Sequence, residues 1–531
     1  MATNGNDEYF PEPSEDSWEA DSAKDYLKSI SNMDERREKL CQGYVEQRWA
    51  TDNDFITLMN CESLFPSDED KRYFVKFALT EFPCSIDFNL RILKKINESN
   101  FNIHDFRFKD GKSAVHYLAE MDALPIIPLA RTLMLPFMEL FLESAEQNYQ
   151  DEHGYTYLHG ACMSDNVTAL NRLLGQGVDV DLDTYTCSPL HIAAQYRNED
   201  VVEILLRHRA DPNQPDRERS TPLHALARLR ICDCHTGLEV CDYKRPVDKL
   251  VNMLVEHGAE LEARNSHGDT PLQLAVSRFD RELVASLLAH GASIRNLNDD
   301  RMFSWNFSSL ELRCYPYTLQ IIETIRLLQS AGYQMDFRAR LRMIKLWMRV
   351  RGNDADYILA DLDDFSYFSL RDHLSITRTF GFYIHQDTND FWCQKFEQLT
   401  HVNDPLYLNL VINDGFTQED AAKMNAIMAT ENISLYQLCQ MNYSEGYSIL
   451  KNIQNWRIPP MDQISHTIMN IRVKRHIANI LIRPHLELIV SDLFMTDHCQ
   501  LSLPYPVCRK ITQYMSYEDL LRLCEQTNED N

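Results

Sequence analysis

Four segments of the chain repeat one short pattern, and this repetition constrains the fold more than any other feature of the sequence. The segments read GYTYLHGAC at 154–162, TCSPLHIAA at 186–194, RSTPLHALA at 219–227 and GDTPLQLAV at 268–276. Their Thr or Ser positions are 32, 33 and 49 residues apart, and an apolar stretch with a Leu-Leu-like pair follows each segment. A unit of about 33 residues cannot bury its apolar face alone, so neighbouring units are expected to stack into an array.

The pattern predicts the start and the end of each helix. Thr or Ser can accept a hydrogen bond from a free backbone N–H at a helix start, and Pro fits the first turn because no N–H is missed there. His159, His191 and His224 are therefore predicted to be structural residues of the inner helices. Glycine follows three of the outer helices, where a positive φ favours it. Arg209 takes this place after the segment at 186–194, and a left-handed Arg209 would carry about 1–2 kcal/mol of strain.

These segments resemble ankyrin repeats, which are pairs of helices joined by turns. Weaker copies at 102–120 and 321–335 extend the array, so we expect five to six repeats over 105–335, with a helical cap over 41–104. The resemblance implies an elongated solenoid that binds a protein target through its loop tips and concave face. The candidate target-binding residues at predicted loop tips are Tyr185, Arg217, Arg219 and His267.

One repeat carries an insertion at 228–245, RLRICDCHTGLEVCDYKR, with four potential zinc ligands: Cys232, Cys234, His235 and Cys241. Their spacing matches none of the standard zinc patterns, and an insertion in a repeat normally forms a surface loop. A plain loop is therefore the expected structure and a metal site the alternative. We predict no metal and no cofactor.

The composition favours a helical protein that acts on other proteins. With 531 residues the chain exceeds the size of a single hydrophobic core, so several domains or an elongated array are expected. It contains 16 glycines, too few for a fold built on many tight turns. The net charge of −26 repels phosphate backbones and anionic lipid surfaces, which argues against nucleic-acid and membrane partners. We expect an acidic disordered segment over 1–40.

Two further features bear on location. The first residues lack the apolar core of a secretory signal, so we expect the chain in the cytoplasm or nucleus, with its 14 cysteines as reduced thiols. The apolar stretch at 123–142 contains three prolines as well as Arg131 and Glu139. We predict buried helices there and no membrane span, because central charges are costly in a bilayer.

The sequence contains none of the common catalytic motifs considered below. The stretch DGKSAV lacks the upstream glycine of a phosphate-binding loop, and no zinc-protease, serine-hydrolase or kinase pattern occurs. The acidic stretch at 354–364 lacks the central glycine of a calcium loop. We therefore predict a binding module without its own catalytic site.

After the repeats the pattern changes to irregular helices, so the expected fold is all-α: an ankyrin-repeat solenoid followed by a compact helical C-terminal domain. We expect a helical connector over 336–400 and the domain over 401–531. The stretch LPYPVCRKITQYMSYEDLL at 503–521 resembles the F-box pattern, Leu-Pro-x-Glu-Ile-x3-Ile-Leu-x-Tyr-Leu-Ser-x2-Asp-Leu. It departs from that pattern at Pro506, in place of Glu, and at Thr512, in place of Leu.

Ankyrin repeats followed by a truncated F-box-like end resemble the PRANC proteins of poxviruses, parasitoid wasps and intracellular bacteria. The resemblance implies a substrate-recognition adaptor that binds a Skp-family adaptor and thereby a cullin–RING ubiquitin ligase. The residues that it assigns to adaptor binding are Leu503, Pro504, Val507, Ile511, Tyr514, Met515, Asp519 and Leu520. Val507, Ile511 and Tyr514 also share one face of a helix by their spacing.

Two other hypotheses remain open at this stage. The first is a scaffold without ligase function, which sequesters a signalling or transcription factor as the ankyrin inhibitors of NF-κB do. The second rests on SLYQLC at 434–439, which resembles the elongin-binding box of SOCS proteins. The next Leu-Pro pair, at 503, lies far from this stretch, which disfavours a compact SOCS box.

Overall fold

In the part of the chain that the computed structural model describes, the regular secondary structure consists of helices, without β-strands. This confirms the all-α class. The described residues are 20–45, 52–60, 62–80, 86–99, 101–122, 130–143, 147–228, 246–304, 306–307, 317–356, 383, 418–451, 453, 459, 467–495 and 503–527. Contacts divide the chain into two units, residues 1–216 and 217–531, which are described one at a time. The insertion with its Cys232, Cys234, His235 and Cys241 lies outside the described residues, as does most of the connector.

The helices described in unit 1 are α1 (Ala20–Ser29), α2 (Met33–Val45), α3 (Asp52–Met59), α4 (Asp68–Thr80), α5 (Ile86–Glu98), α6 (Ala114–Asp122), α7 (Ala130–Leu142), α8 (Tyr157–Met163), α9 (Val167–Gly175), α10 (Pro189–Gln195) and α11 (Glu199–Arg207). Those of unit 2 up to the end of the repeats are α12 (Pro222–Ala225), α13 (Asp248–Glu256), α14 (Pro271–Ser277), α15 (Arg281–Ala289), α16 (Asp299–Met302) and α17 (Tyr317–Ser330). The later ones are α18 (Phe337–Asp356), α19 (Gln418–Ala426), α20 (Leu435–Gln440), α21 (Tyr443–Leu450), α22 (Thr467–Leu481), α23 (Arg483–Leu493), α24 (Tyr505–Tyr514) and α25 (Tyr517–Gln526).

The structure differs from the prediction of a disordered segment 1–40 where it describes this segment, because residues 20–29 and 33–40 are helical in α1 and α2; residues 1–19 lie outside the described residues. Their apolar side chains, Leu27 and Leu40 among them, are buried. The Arg37 guanidinium lies 2.6 Å from the buried Asp70 carboxylate of α4. Composition alone missed these helices, since a mostly polar sequence can still fold when its few apolar residues and its charges find partners in later helices.

In unit 1 the helix starts follow the predicted capping pattern. Thr156 and Ser188 each form a capping box with the histidine three residues later. The backbone N–H of Thr156 donates to His159 Nδ1 at 3.1 Å, so this ring is neutral with its proton on Nε2. Successive helix pairs are joined by buried amides, since Asn198 Nδ2 donates to Cys162 O at 2.7 Å. The histidines therefore have the structural role that was predicted.

The repeats of unit 2 are built in the same way. Thr221 caps α12 with His224 in a capping box, and His224 Nε2 donates to Asp269 O of the next repeat at 3.0 Å. Thr270 accepts from the backbone N–H of Gln273 at 3.2 Å. Leu272 and Leu287, on α14 and α15, are fully or almost fully buried. The repeats of unit 2 are thus joined by directional hydrogen bonds, such as that of His224, and by an apolar interface.

The turn after the outer helix is left-handed in each of these repeats. Gly177, Gly258 and Gly291 have φ values of 84°, 93° and 94°. Arg209 occupies the equivalent turn with a φ of 67°, which confirms the left-handed arginine. The chain accepts this conformation because it completes the hydrogen bond from Ala210 N to Leu205 O at 3.0 Å.

Replacing Arg209 by Gly is expected to raise the free energy of unfolding by up to about 1 kcal/mol, since glycine adopts a positive φ without a Cβ clash. Arg209 is exposed, so little packing is lost with its side chain. The denaturation midpoint of the full chain measures the effect. A lower midpoint for Arg209→Gly would mean that the arginine side chain stabilises the turn more than its backbone strain destabilises it.

The C-terminal helices of unit 2 pack on the last helix of the repeats. Helix α17 contacts α18 and α22, and Trp347 of α18 donates from Nε1 to Thr318 O at 3.0 Å. Arg340 of α18 and Asp492 of α23 form an ion pair of 2.8 Å. Among the described helices none has the length and apolar character needed to cross a membrane. Helix α7, from the apolar stretch, buries Met134 and Phe137 instead.

Four buried histidines make the stability of the chain depend on pH. Burial lowers the pKa of His159, His476 and His485 to about 4 and lowers that of His116 as well. Unfolding returns each to about 6.5. The stabilisation is complete above pH 6.5 and is lost as the pH falls toward 4, because the unfolded chain binds protons that the folded chain excludes. Each ring contributes a slope of at most about 1.4 kcal/mol per pH unit.

The test compares denaturation midpoints at several pH values between 7.5 and 4.5 for two variants. His476→Gln keeps a donor for Leu438 O, which accepts from His476 Nε2 at 3.0 Å, and removes the titration. It is expected to flatten the pH dependence. The exposed His153 provides the control, and His153→Gln is expected to leave the slope unchanged; equal slopes for both variants would contradict the assignment.

Candidate functional site

Local sequence determines where helix α24 begins and ends. Pro504 occupies the N-cap, and Pro506 lies in the first turn, where the chain needs no N–H donor. The helix ends at Tyr514, because Met515 has extended backbone with a φ of −70° and a ψ of 149°. Pro506 therefore replaces the Glu of the F-box pattern without breaking the helix.

Helix α24 exposes four apolar residues to solvent, of which Val507, Ile511 and Tyr514 share one side by their spacing. The exposed fractions are 38% for Tyr505, 41% for Val507, 37% for Ile511 and 82% for Tyr514. We call these four residues the α24 patch. They are half of the eight large apolar side chains that are exposed in the described ranges, although α24 has only ten residues. Such a concentration is typical of a surface that binds a partner.

The opposite side of α24 packs on α23. Cys508 and Thr512 are fully buried, and Thr512 Oγ1 lies 3.0 Å from Ser491 Oγ. Thr512 was the departure from the Leu of the F-box pattern. Its hydroxyl has a partner on α23, so the polar side chain is accommodated inside the helix interface.

The turn after α24 is held by a buried arginine. Arg483 donates to Met515 O at 2.9 Å, to Glu487 Oε1 at 2.9 Å and to Ser444 Oγ at 3.1 Å. The side chains of Arg483 and Glu487 are 7% and 4% exposed. One guanidinium thus connects α21, α23 and the α24–α25 turn. Sequence reasoning did not single out Arg483, because two of its partners, Ser444 and Met515, lie 39 and 32 residues away.

The second helix of the F-box-like stretch, α25, is partly buried. Ser516 Oγ accepts from Asp519 N at 3.0 Å and caps the helix. Leu520 is fully buried, and the buried Tyr517 donates to Asn479 Oδ1 at 3.0 Å. Asp519 is exposed. This helix therefore packs its apolar face on α18 and α23.

The eight residues assigned to adaptor binding thus divide by exposure. Pro504, Val507, Ile511, Tyr514 and Asp519 are exposed. Leu503 and Met515 are half-buried, and Leu520 is inside. The prediction omitted Tyr505 of the patch, and also Met495, which is 52% exposed and whose Sδ lies 3.8 Å from Cys508 Sγ.

The elongin-box-like stretch at 434–439 forms α20 with its cap. Ser434 and Gln437 make a capping box, and Leu435, Leu438 and Cys439 are buried. The side chains that would contact an elongin therefore lie in the helical core. Binding there would require α20 to leave its packing.

The predicted target-binding residues lie on loops of both units. In unit 1, the Tyr185 ring is half-buried and 5.2 Å from that of Tyr155, centre to centre. In unit 2, Arg217, Arg219 and His267 are exposed. The loops 217–219 and 265–268 are joined, because the backbone N–H of residue 266 donates to the carbonyl of residue 218 at 2.7 Å.

Comparison with known proteins identifies the repeats. A family model described as ankyrin repeats (3 copies) matches residues 130–216 and 158–243, and one described as ankyrin repeat matches 267–300. The chain contains ankyrin repeats, and these domains imply that it binds a protein partner. No comparison extends this identification to the C-terminal helices.

Similar proteins share only a part of the chain. A transient receptor potential cation channel subfamily A member 1 homolog of Caenorhabditis elegans is 33% identical over 23% of this chain and 11% of its own length. The B-cell lymphoma 3 protein homolog of Mus musculus is 31% identical over 27% of this chain and 31% of its own. An ankyrin repeat protein of fowlpox virus (strain NVSL) is 28% identical over 26% and 28%. The chain thus spans less than a third of each of these relatives.

Proposed function

We propose that this protein holds a target protein through its ankyrin repeats and recruits a Skp-family adaptor, with its cullin–RING ubiquitin ligase, through the α24 patch. The single observation that carries the proposal is the group of four exposed apolar side chains on α24. The chain supplies no catalytic group in this scheme. In the proposed scheme its role is to bring the target and the ligase together.

The arrangement of α24 supports docking and not internal packing. Cys508 and Thr512 fill the interface with α23, whereas Val507, Ile511 and Tyr514 keep 41%, 37% and 82% of their surface exposed on the other side of α24. Full burial of an exposed isoleucine contributes about 1.5–3 kcal/mol, and Ile511, which is 37% exposed, can gain roughly a third of that in a partner's groove. Tyrosines such as Tyr514 are enriched among the residues that dominate binding energy.

The experiment measures binding of the full chain to a purified Skp-family adaptor. The variant Val507→Asp/Ile511→Asp is expected to weaken binding at least roughly 100-fold, because two charges would be buried in the interface. Gln513→Asp provides a matched control, since Gln513 is exposed on α24 outside the patch. Circular dichroism checks that the helices are retained.

Two results would contradict the proposal. If the unaltered chain binds no Skp-family adaptor, the ligase function is lost. If Val507→Asp/Ile511→Asp binds as well as the unaltered chain, the α24 patch is not the binding surface. Recovery of elongins, in place of the Skp-family adaptor, would instead favour the stretch at 434–439.

A second candidate function needs the repeats alone: a scaffold that sequesters a signalling or transcription factor, like the ankyrin inhibitors of NF-κB. The observation that favours it is that the family models match within 130–300 only, and ankyrin repeats suffice to hold a partner. Proximity labelling with and without proteasome inhibition distinguishes the two functions. A ligase adaptor's target should accumulate when the proteasome is inhibited, whereas a sequestered factor should be captured equally in both conditions.

A further inference from the structure

A groove in unit 2 carries positive charge in a strongly acidic protein. Its volume is about 560 Å³, and α15, α17, α21 and the start of α23 contribute to its walls. Three cations, Arg281, Arg326 and Lys451, line it together with one carboxylate, Glu323. The local excess of positive charge contrasts with the net charge of −26 of the whole chain. None of its lining residues belongs to the α24 patch.

One carboxylate, Glu323, faces all three cations, so the lining of the groove keeps an excess of two positive charges. Arg281 Nε lies 3.7 Å from Glu323 Oε2, so that charge is compensated. Arg326 is half-buried on α17 and makes no side-chain hydrogen bond or ion pair with the described residues. Burial lowers the pKa of Arg326, and the Glu323 carboxylate, which also acts on Arg281, offsets this only in part. Lys451, exposed at the end of α21, has no partner in the described ranges either.

The rest of the groove is apolar. Leu327, Leu450 and Leu481 line it, and Ile453 is 37% exposed at its edge. A guanidinium binds a carboxylate through two parallel hydrogen bonds, and the apolar wall favours a ligand that also carries aliphatic side chains. A peptide in which acidic and aliphatic residues alternate carries both kinds of group.

We propose that this groove binds an acidic segment of a partner protein, with a carboxylate of that segment on Arg326 and Lys451 and its neighbouring aliphatic side chains against the leucines. Charge complementarity selects this occupant, since three cations against one carboxylate lie beside an apolar wall. The groove is then a second protein-binding surface, on a different part of unit 2 from the α24 patch.

The test uses the full chain and a fluorescein-labelled twelve-residue peptide with four copies of Glu-Asp-Leu, read by fluorescence anisotropy. A peptide with four copies of Gln-Asn-Leu is the neutral control. We expect the acidic peptide to bind and the neutral one to bind at least roughly tenfold more weakly. Arg326→Gln and Lys451→Gln are each expected to weaken the acidic peptide roughly tenfold, and Lys451 is exposed, so its loss leaves folding intact.

Arg207→Gln provides the matched control, because Arg207 is an exposed arginine of α11 outside the groove. It is expected to leave the affinity unchanged. Equal binding by the unaltered chain and both groove variants would overturn the proposal, as would failure of the acidic peptide to bind at all. Competition by inorganic phosphate without any binding of the peptide would also overturn it, since the groove would then hold a small anion.

Discussion

Replacing Arg483 by Met is expected to lower the free energy of unfolding by about 3–5 kcal/mol, because the substitution leaves the buried Glu487 carboxylate without its counter-ion. It also removes the donor to Met515 O, which holds the turn between α24 and α25. Urea denaturation of the full chain, followed by circular dichroism, measures the change. If the α24 patch binds the proposed Skp-family adaptor, that binding should weaken as well, since the turn positions Tyr514.

The matched variant is Arg483→Met/Glu487→Met, which removes both charges. Methionine is unbranched and fills irregular space, so this pair is expected to recover most of the lost stability. If the double variant is as unstable as Arg483→Met, the cost comes from lost packing or lost hydrogen bonds and not from the unpaired carboxylate. If Arg483→Met is as stable as the unaltered chain, the buried pair has no structural role.

The repeats could be predicted from the sequence because their determinants are local. A Thr or Ser followed three residues later by His defines a capping box, and both members lie within one turn of helix. The left-handed turn at Arg209 follows from its alignment with three glycines. The same local hydrogen bonds and backbone preferences recur in each repeat. A single sequence therefore shows the pattern several times, which makes the prediction of the repeats secure.

The C-terminal surface could be predicted only in part, for the opposite reason. The spacing placed Val507 and Ile511 on one side of a helix, and both are exposed. Leu520 has the same kind of periodicity, yet it faces the core, because α25 packs on α23 and α18. Periodicity identifies an apolar face but not whether that face meets the protein or a partner.

Contacts between distant residues account for what the sequence could not predict. The charges of the groove come from Arg281, Arg326 and Lys451, which are separated by 45 and 125 residues and share no motif. The helices at 20–40 depend on Asp70 in the same way. In both cases the residues come together because of how the helices pack, and no local sequence pattern predicts it.

Gly154→Ala is expected to lower the free energy of unfolding by about 2–4 kcal/mol, through a left-handed backbone and a collision between two loops. Gly154 has a φ of 85°, and a Cβ at this position would lie 1.6 Å from Thr184 O. Thr184 Oγ1 donates to Gly154 O at 2.7 Å, so the two loops are in direct contact. The alanine can fit only if the neighbouring loop, which carries Tyr185, moves.

Gly177→Ala separates the two causes, because Gly177 has a φ of 84° but open space around its missing Cβ. It is expected to cost only about 1 kcal/mol, from the backbone conformation alone. Urea denaturation of both variants gives the difference, and Tyr185 chemical shifts report whether its loop has moved. Equal destabilisation by the two substitutions would contradict a close contact between the loops at Gly154. If the loop at Tyr185 is displaced and the target still binds, Tyr185 is not part of the binding surface. The exposed loops of unit 2 would then be the remaining candidates for target binding.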